Sequence, residues 1–154
     1  MKILLSVVIL LAAIVSTIMF VTHVTPLSWG AYQPVNTSNG LALEGYDPVS
    51  YLKDGSPIKG SADYKVTWQT AEWYFSTAEN KTTFLKDPEK YAPQFGVNCA
   101  QAISDGFTAS GDPTVWHIED GKVYVFFMEK AKSKWLARLD QGVVALSHKN
   151  WDNR

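Results

Sequence analysis

The chain opens on a stretch without a polar face. From Ile3 to Val21 it is apolar except for Ser6, Ser16 and Thr17, and none of these 19 residues is charged. At about 1.5 Å per residue a helix of that length measures roughly 28 Å, enough for the hydrocarbon layer of a bilayer. A core helix of a globular domain would carry a polar stripe at helical period, which is lacking here. An N-terminal hydrophobic helix is therefore expected. Lys2 precedes it and no Lys or Arg follows before Lys53, so the N-terminus is expected in the cytoplasm and the rest outside, periplasmic or anchored to the membrane. A secretory signal has an apolar stretch of about 7–15 residues and small residues before its cut, and Ser28-Trp29-Gly30 before Ala31 fits that weakly. A signal peptide and a retained transmembrane anchor both stand as readings of residues 1–30. Residues 22–40 mix Pro, Gly and Asn without periodicity, as a linker does.

Beyond the linker the pattern alternates between strand and helix periods. Tyr64 to Phe75 predicts a hairpin, with Val66 and Trp68 before a polar loop at Gln69 to Glu72 and Trp73 and Phe75 after it. Ser76 and Glu79 have capping-box spacing, so a helix is expected to start at Ser76. Asp87-Pro88 predicts a further short helical turn through Tyr91, ended by Pro93 and Gly96. Val115 to Glu119, Asp120-Gly121 and Lys122 to Phe127 predict a second hairpin, in which His117 faces Tyr124 and Trp116 faces Val125. Phe127, Ala131, Trp135 and Leu139 recur at every fourth residue as the apolar stripe of a helix, which makes Trp135 a core residue. A terminal helix over 143–151 is expected to pack Leu146 and Trp151. The class is α+β: a small antiparallel sheet built from two hairpins packed with short helices.

Composition narrows the picture. A chain of 154 residues with 46% hydrophobic and 13% aromatic residues can bury a core, which excludes the disordered class. Residues 31–154 are one domain in size. The formal charge is -1. Lys130, Lys132, Lys134 and Arg138 lie near Glu129 and Asp140 and read as a solvated helix face, so nucleic acid is not an expected partner. Asn36-Thr37-Ser38 and Asn80-Lys81-Thr82 match the glycosylation sequon, which matters only in a eukaryotic host.

Three motifs in order carry a family resemblance: Gly45-Tyr46-Asp47-Pro48-Val49-Ser50-Tyr51, then Trp73-Tyr74-Phe75-Ser76 through Asn80 to Phe84, then Asp87-Pro88-Glu89-Lys90-Tyr91-Ala92-Pro93. Together they resemble the YHS domain, and the exported, uncharacterised bacterial proteins that carry it, over Val35 to about Trp151. The resemblance implies a binding module and, as ligand, a metal ion such as copper. Many YHS domains place Cys after Asp-Pro-Val and twice more in a Tyr-Phe-Cys-x-x-x-Cys segment. Here those positions are Ser50, Ser76 and Asn80, and Leu52 replaces the Met that often follows the first Cys. Copper(I) depends on thiolate and thioether donors, so this chain departs from the family where the chemistry resides.

The remaining candidate ligands are Cys99, His117, Asp47 and Met128, a set whose donor types suit copper or zinc if the fold gathers them. Each has a plainer reading. Cys99 is the single cysteine, so no intrachain disulfide forms, and free Cys is often a small buried hydrophobe. A lone strand His117 is more often structural than ligating. Asp47 before Pro48 is expected to organise the turn by accepting backbone hydrogen bonds. His23 and His148 read as bystanders. No G-x-S-x-G, H-E-x-x-H or phosphate-loop pattern occurs, which leaves a thiol enzyme using Cys99 as the only catalytic reading. A structural or protein-interaction domain without metal is the alternative to the metal module.

Overall fold

The computed structural model describes residues 2–22, 24–29 and 33–154. His23, Gly30 and Ala31, and with them the candidate cut site, lie outside the described residues. The elements are α1 (Lys2–Thr22), β1 (Thr25–Pro26), β2 (Thr37–Ser38), β3 (Leu41–Ala42), α2 (Ser50–Lys53), β4 (Ser61–Trp68) and β5 (Ala71–Phe75). Then come α3 (Ala78–Lys86), α4 (Pro88–Tyr91), α5 (Ala100–Ser104), β6 (Phe107–Thr108), β7 (Asp112–Glu119), β8 (Lys122–Phe126), α6 (Glu129–Leu136) and α7 (Val143–Asp152).

The α+β class is the one observed, with the two hairpins in separate small sheets. β4 and β5 pair antiparallel and extend to β3 and β2, β3 running parallel to β5, while β7 and β8 form their own two-stranded sheet. The Asp120-Gly121 turn sets the expected register, His117 opposite Tyr124 and Trp116 opposite Val125. Both turn residues have positive φ, as a two-residue hairpin loop of type I′ demands. Gln69 and Thr70 adopt the same left-handed region between β4 and β5 without a glycine. That loop is two residues long, shorter than the four expected, because β5 already begins at Ala71, and β4 begins earlier than expected, at Ser61.

β8 is the wall on which the domain is built. Val123 and Val125 enter a first core with Tyr51, Trp73, Phe75 and Phe84, whereas Tyr124 and Phe126 enter a second with Cys99, Ile103 and Trp135. Successive strand side chains point to opposite faces, so one strand covered on both sides serves two cores. The chain crosses between the cores at Phe95, Gly96 and Val97, three consecutive residues with positive φ that put Phe95 into the second core and Val97 into the first. Gly96 is required there, because a Cβ would collide with the Pro34 carbonyl, and the close approach lets its own carbonyl accept from Asn36 N at 2.7 Å.

Three local expectations change. The cap of α3 is Thr77, whose side chain accepts from Asn80 N, because the Ser76 hydroxyl is engaged elsewhere. Phe127 leaves the apolar stripe and is 54% exposed, since α6 begins only at Glu129, while Trp135 is fully buried as expected. In α7 the buried positions are Val143 and Ser147, and Leu146 faces solvent.

The described part of the expected linker is folded onto the domain. β1 pairs with β6, Leu27 joins the second core, and Val35 joins the first. These residues are isolated apolar positions whose partners are distant in sequence, so no local period announces them. α1 stands apart: Leu4, Leu5, Val7, Val8, Ile9, Leu10 and Leu11 are all exposed. Among the described residues no helix is long and apolar enough to cross a membrane.

Candidate functional site

Asp47 sits in the tight loop between Tyr46 and α2 and is fully buried. Its Oδ1 accepts from Val49 N at 2.8 Å, the short Asx turn expected before Pro48. Its Oδ2 reaches across the domain and accepts from Ser76 N at 2.8 Å, Ser76 Oγ at 2.7 Å and Asn80 Nδ2 at 2.7 Å. The Asp47 carbonyl accepts from Ser50 Oγ at 2.8 Å, and that hydroxyl in turn accepts from Ile58 N at 3.1 Å.

One feature unites these partners. Ser50, Ser76 and Asn80, the three positions at which the resemblance implies cysteine in metal-binding members, all hydrogen-bond to one aspartate. The Ser76 hydroxyl and the Asn80 amide donate to the Asp47 carboxylate itself, and the Ser50 hydroxyl donates to the main-chain carbonyl of the same residue.

The buried charge has a counterion at one remove. Lys53 Nζ donates to Asn80 Oδ1 at 3.1 Å and also to Glu79 Oε1 at 3.0 Å. The Asn80 amide thus lies between an ammonium and a carboxylate, each polarising it in the same sense. The Glu79 hydrogen bond, with a smaller contribution from the Asp47 charge, holds the Lys53 ammonium above its ordinary pKa. Asn80 is 2% exposed and both ends of its amide are engaged, so the Asn80 sequon cannot carry a glycan in the folded domain.

The other candidates occupy separate places. Cys99 immediately precedes α5, is 2% exposed, and its backbone N donates to the Ala109 carbonyl at 2.8 Å. His117 lies on β7, half-buried, with Nε2 3.0 Å from Glu119 Oε2. Val125 bridges to Cys99 on one side and pairs with Trp116 on the other, so β8 runs between Cys99 and the strand of His117. Met128 caps α6 through its carbonyl, its side chain 45% exposed. Among the described residues no group of three His, Cys, Asp or Glu side chains is arranged to hold a metal ion.

His148 is the residue that the sequence hid. It projects from α7 to within 3.4 Å of the Tyr124 hydroxyl, its ring 4.9 Å from that of Phe95. Burial, helped by the nearby Lys122 charge and opposed by Asp152, holds its pKa below the ordinary histidine value. It helps to line a cleft of about 810 Å³ between the two hairpin turns, residues 87–96 and the end of α7. Trp68, Asp87, Lys90, Lys122 and Trp151 also face this cleft, and Asp47, Cys99, His117 and Met128 do not. Aromatic surface beside both signs of charge suits a polar partner with apolar parts. No periodicity brings these residues together in the sequence.

Residues 49–95 match the family model of the YHS domain. The match begins two residues after Asp47 and ends at the turn into the second core. No curated protein and no solved structure matches the chain.

Proposed function

We propose, from the premise that this chain is a YHS domain-containing protein, that it is an extracytoplasmic, membrane-anchored binding module whose YHS core is closed by hydrogen bonds instead of a metal. The observation that carries this reading is the Asp47 carboxylate, which accepts four hydrogen bonds from Val49, Ser76 and Asn80. A metal ion at the family's donor positions would meet two hydroxyls and an amide, none of which is the thiolate that copper(I) selects. It would also have to break a satisfied buried network, which costs more than leaving such a network intact. The residues present therefore do not fit a soft metal at that place. The anchor is supported by the uncharged run of the sequence from Ile3 to Val21 and by the apolar side chains that α1 leaves uncovered. It draws on that whole run, since among the described residues no helix is by itself long and apolar enough to cross a membrane. The partner is expected at the open cleft beside His148 and Trp151.

The test uses the full chain in detergent. Loaded with Cu(I), Cu(II) or Zn(II) and desalted, the protein and its Cys99→Ser variant are expected to retain equally little metal. One equivalent held by the native protein and lost in Cys99→Ser would overturn the metal-free reading. Alkaline extraction of membranes is expected to leave the native chain in the pellet, with its C-terminal domain open to protease from outside.

A further inference from the structure

We infer that Thr25–Leu27 splices the N-terminal helix into the domain, so that the helix is retained and the domain rides against the bilayer with Phe107 at headgroup level. The inference rests on the membrane-anchored reading above and adds a geometry to it. A linker would let the domain float, but three successive residues are bound. Thr25 pairs with Thr108 and Pro26 with Phe107, the two threonine hydroxyls lie 2.7 Å apart, and Leu27 N donates to the Gly106 carbonyl at 2.9 Å. Leu27 itself is 5% exposed in the second core.

Cleavage before Ala31 would remove all of this. Among the described residues β6 pairs with β1 alone, so the cut would strip β6 of that partner, leave the Gly106 carbonyl without its donor and open the space filled by Leu27. A segment that contributes a strand and a core side chain to the mature fold is a poor thing to discard with a signal peptide.

Chain length then places the domain. α1 ends at Thr22, and three further residues reach Thr25, a span of at most about 11 Å. The headgroup layer is roughly 5–8 Å thick on each side of the hydrocarbon. β1 and its partner β6 must therefore sit at or just above the lipid surface. Phe107, beside Pro26, is 38% exposed there, an apolar ring of the kind that settles at the boundary of headgroups and acyl chains. Next to it Asp105 is held by Lys134 at 2.9 Å and Arg138 at 3.2 Å, charged groups suited to the wet side of that boundary. The partner of this rim is the headgroup layer of the bilayer.

The full chain produced in membranes is expected to have the intact mass of the uncut polypeptide. A nitroxide at F107C in a Cys99→Ala background, in phosphatidylcholine and phosphatidylglycerol vesicles, is expected at headgroup depth, shielded from a water-soluble relaxant relative to the same label at D63C. Leu27→Ala is expected to melt roughly 5 °C lower than the native chain. A mature protein beginning at Ala31, or an uncut membrane-bound chain whose label at 107 is as open to water as that at 63, would overturn the splice. An uncut chain recovered in the soluble fraction would instead overturn the anchor itself.

Discussion

Asp47 and Asn80, 33 positions apart in the chain, meet at 2.7 Å in the buried interior of the domain. The contact joins the loop before α2 to the first turn of α3, and Lys53 closes it from the solvent side. Removing Asp47 therefore strands several donors at once. Asp47→Ala is expected to cost about 3 kcal/mol, and Asn80→Ala, which leaves the carboxylate its other donors, about 1–2 kcal/mol. Urea unfolding monitored by tryptophan fluorescence measures both, and equal losses would contradict the central place of Asp47.

The same geometry makes a gain-of-function prediction. Ser76 Oγ and Asn80 Nδ2 are 3.2 Å apart on the Asp47 carboxylate, and Ser50 Oγ bonds to the Asp47 main-chain carbonyl. A variant carrying S50C, S76C and N80C is expected to bind one equivalent of Cu(I) or Zn(II), because it returns soft donors to one place. Titration against a chromogenic chelator reads the stoichiometry, and a variant that folds but binds nothing would show that the positions do not converge on a metal.

Tyr51 spans the first core and donates its hydroxyl to the Pro113 carbonyl at 2.8 Å. Burial, reinforced by nearby acidic groups, pushes its phenol far above the usual tyrosine pKa. Tyr51→Phe keeps the ring against Trp116, 5.5 Å between centroids, and leaves the carbonyl without its partner. The expected loss is about 1–2 kcal/mol in equilibrium unfolding, and an unchanged midpoint would show that water replaces the hydroxyl freely.

His148 predicts a pH dependence of known sign. Its folded pKa lies below the unfolded value because burial disfavours the imidazolium. The unfolded chain therefore binds more protons in the window just below the unfolded pKa of about 6.5. Stability is expected to be full above that value and to fall as pH drops through it toward the folded pKa. His148→Gln should flatten this slope, as measured by thermal melting from pH 8 to pH 5. An unchanged slope would assign the effect to other groups.

Cys99 is 2% exposed and surrounded by the second core. Its alkylation by iodoacetamide at neutral pH is expected to be slow in the native protein and rapid in denaturant, since attack needs an accessible thiolate. Fast native labelling would revive the thiol-enzyme reading.

Much of the domain was legible because its signals are local. Asp120-Gly121 predicts a hairpin and its register from two residues, Asp87-Pro88 predicts a cap and a first turn, and Asp47-Pro48 predicts an Asx turn. Errors fell where one side chain had two uses. Ser76 has the spacing of a cap, but its hydroxyl is taken by Asp47, and the cap passes to Thr77. Phe127 continues a fourfold period that the backbone breaks before α6.

Local chemistry thus settles the elements, their order, the apolar N-terminal helix and the single cysteine, because propensity, turn geometry and composition act over a few residues. The two-sided burial of β8, the union of Ser76 and Asn80 on the Asp47 carboxylate, the cleft around His148 and the binding of Thr25–Leu27 to β6 depend on pairs tens of residues apart. Such pairs carry no period. They arise only when apolar faces are buried together, and the polar groups carried inward must then find partners among whatever the fold has brought near.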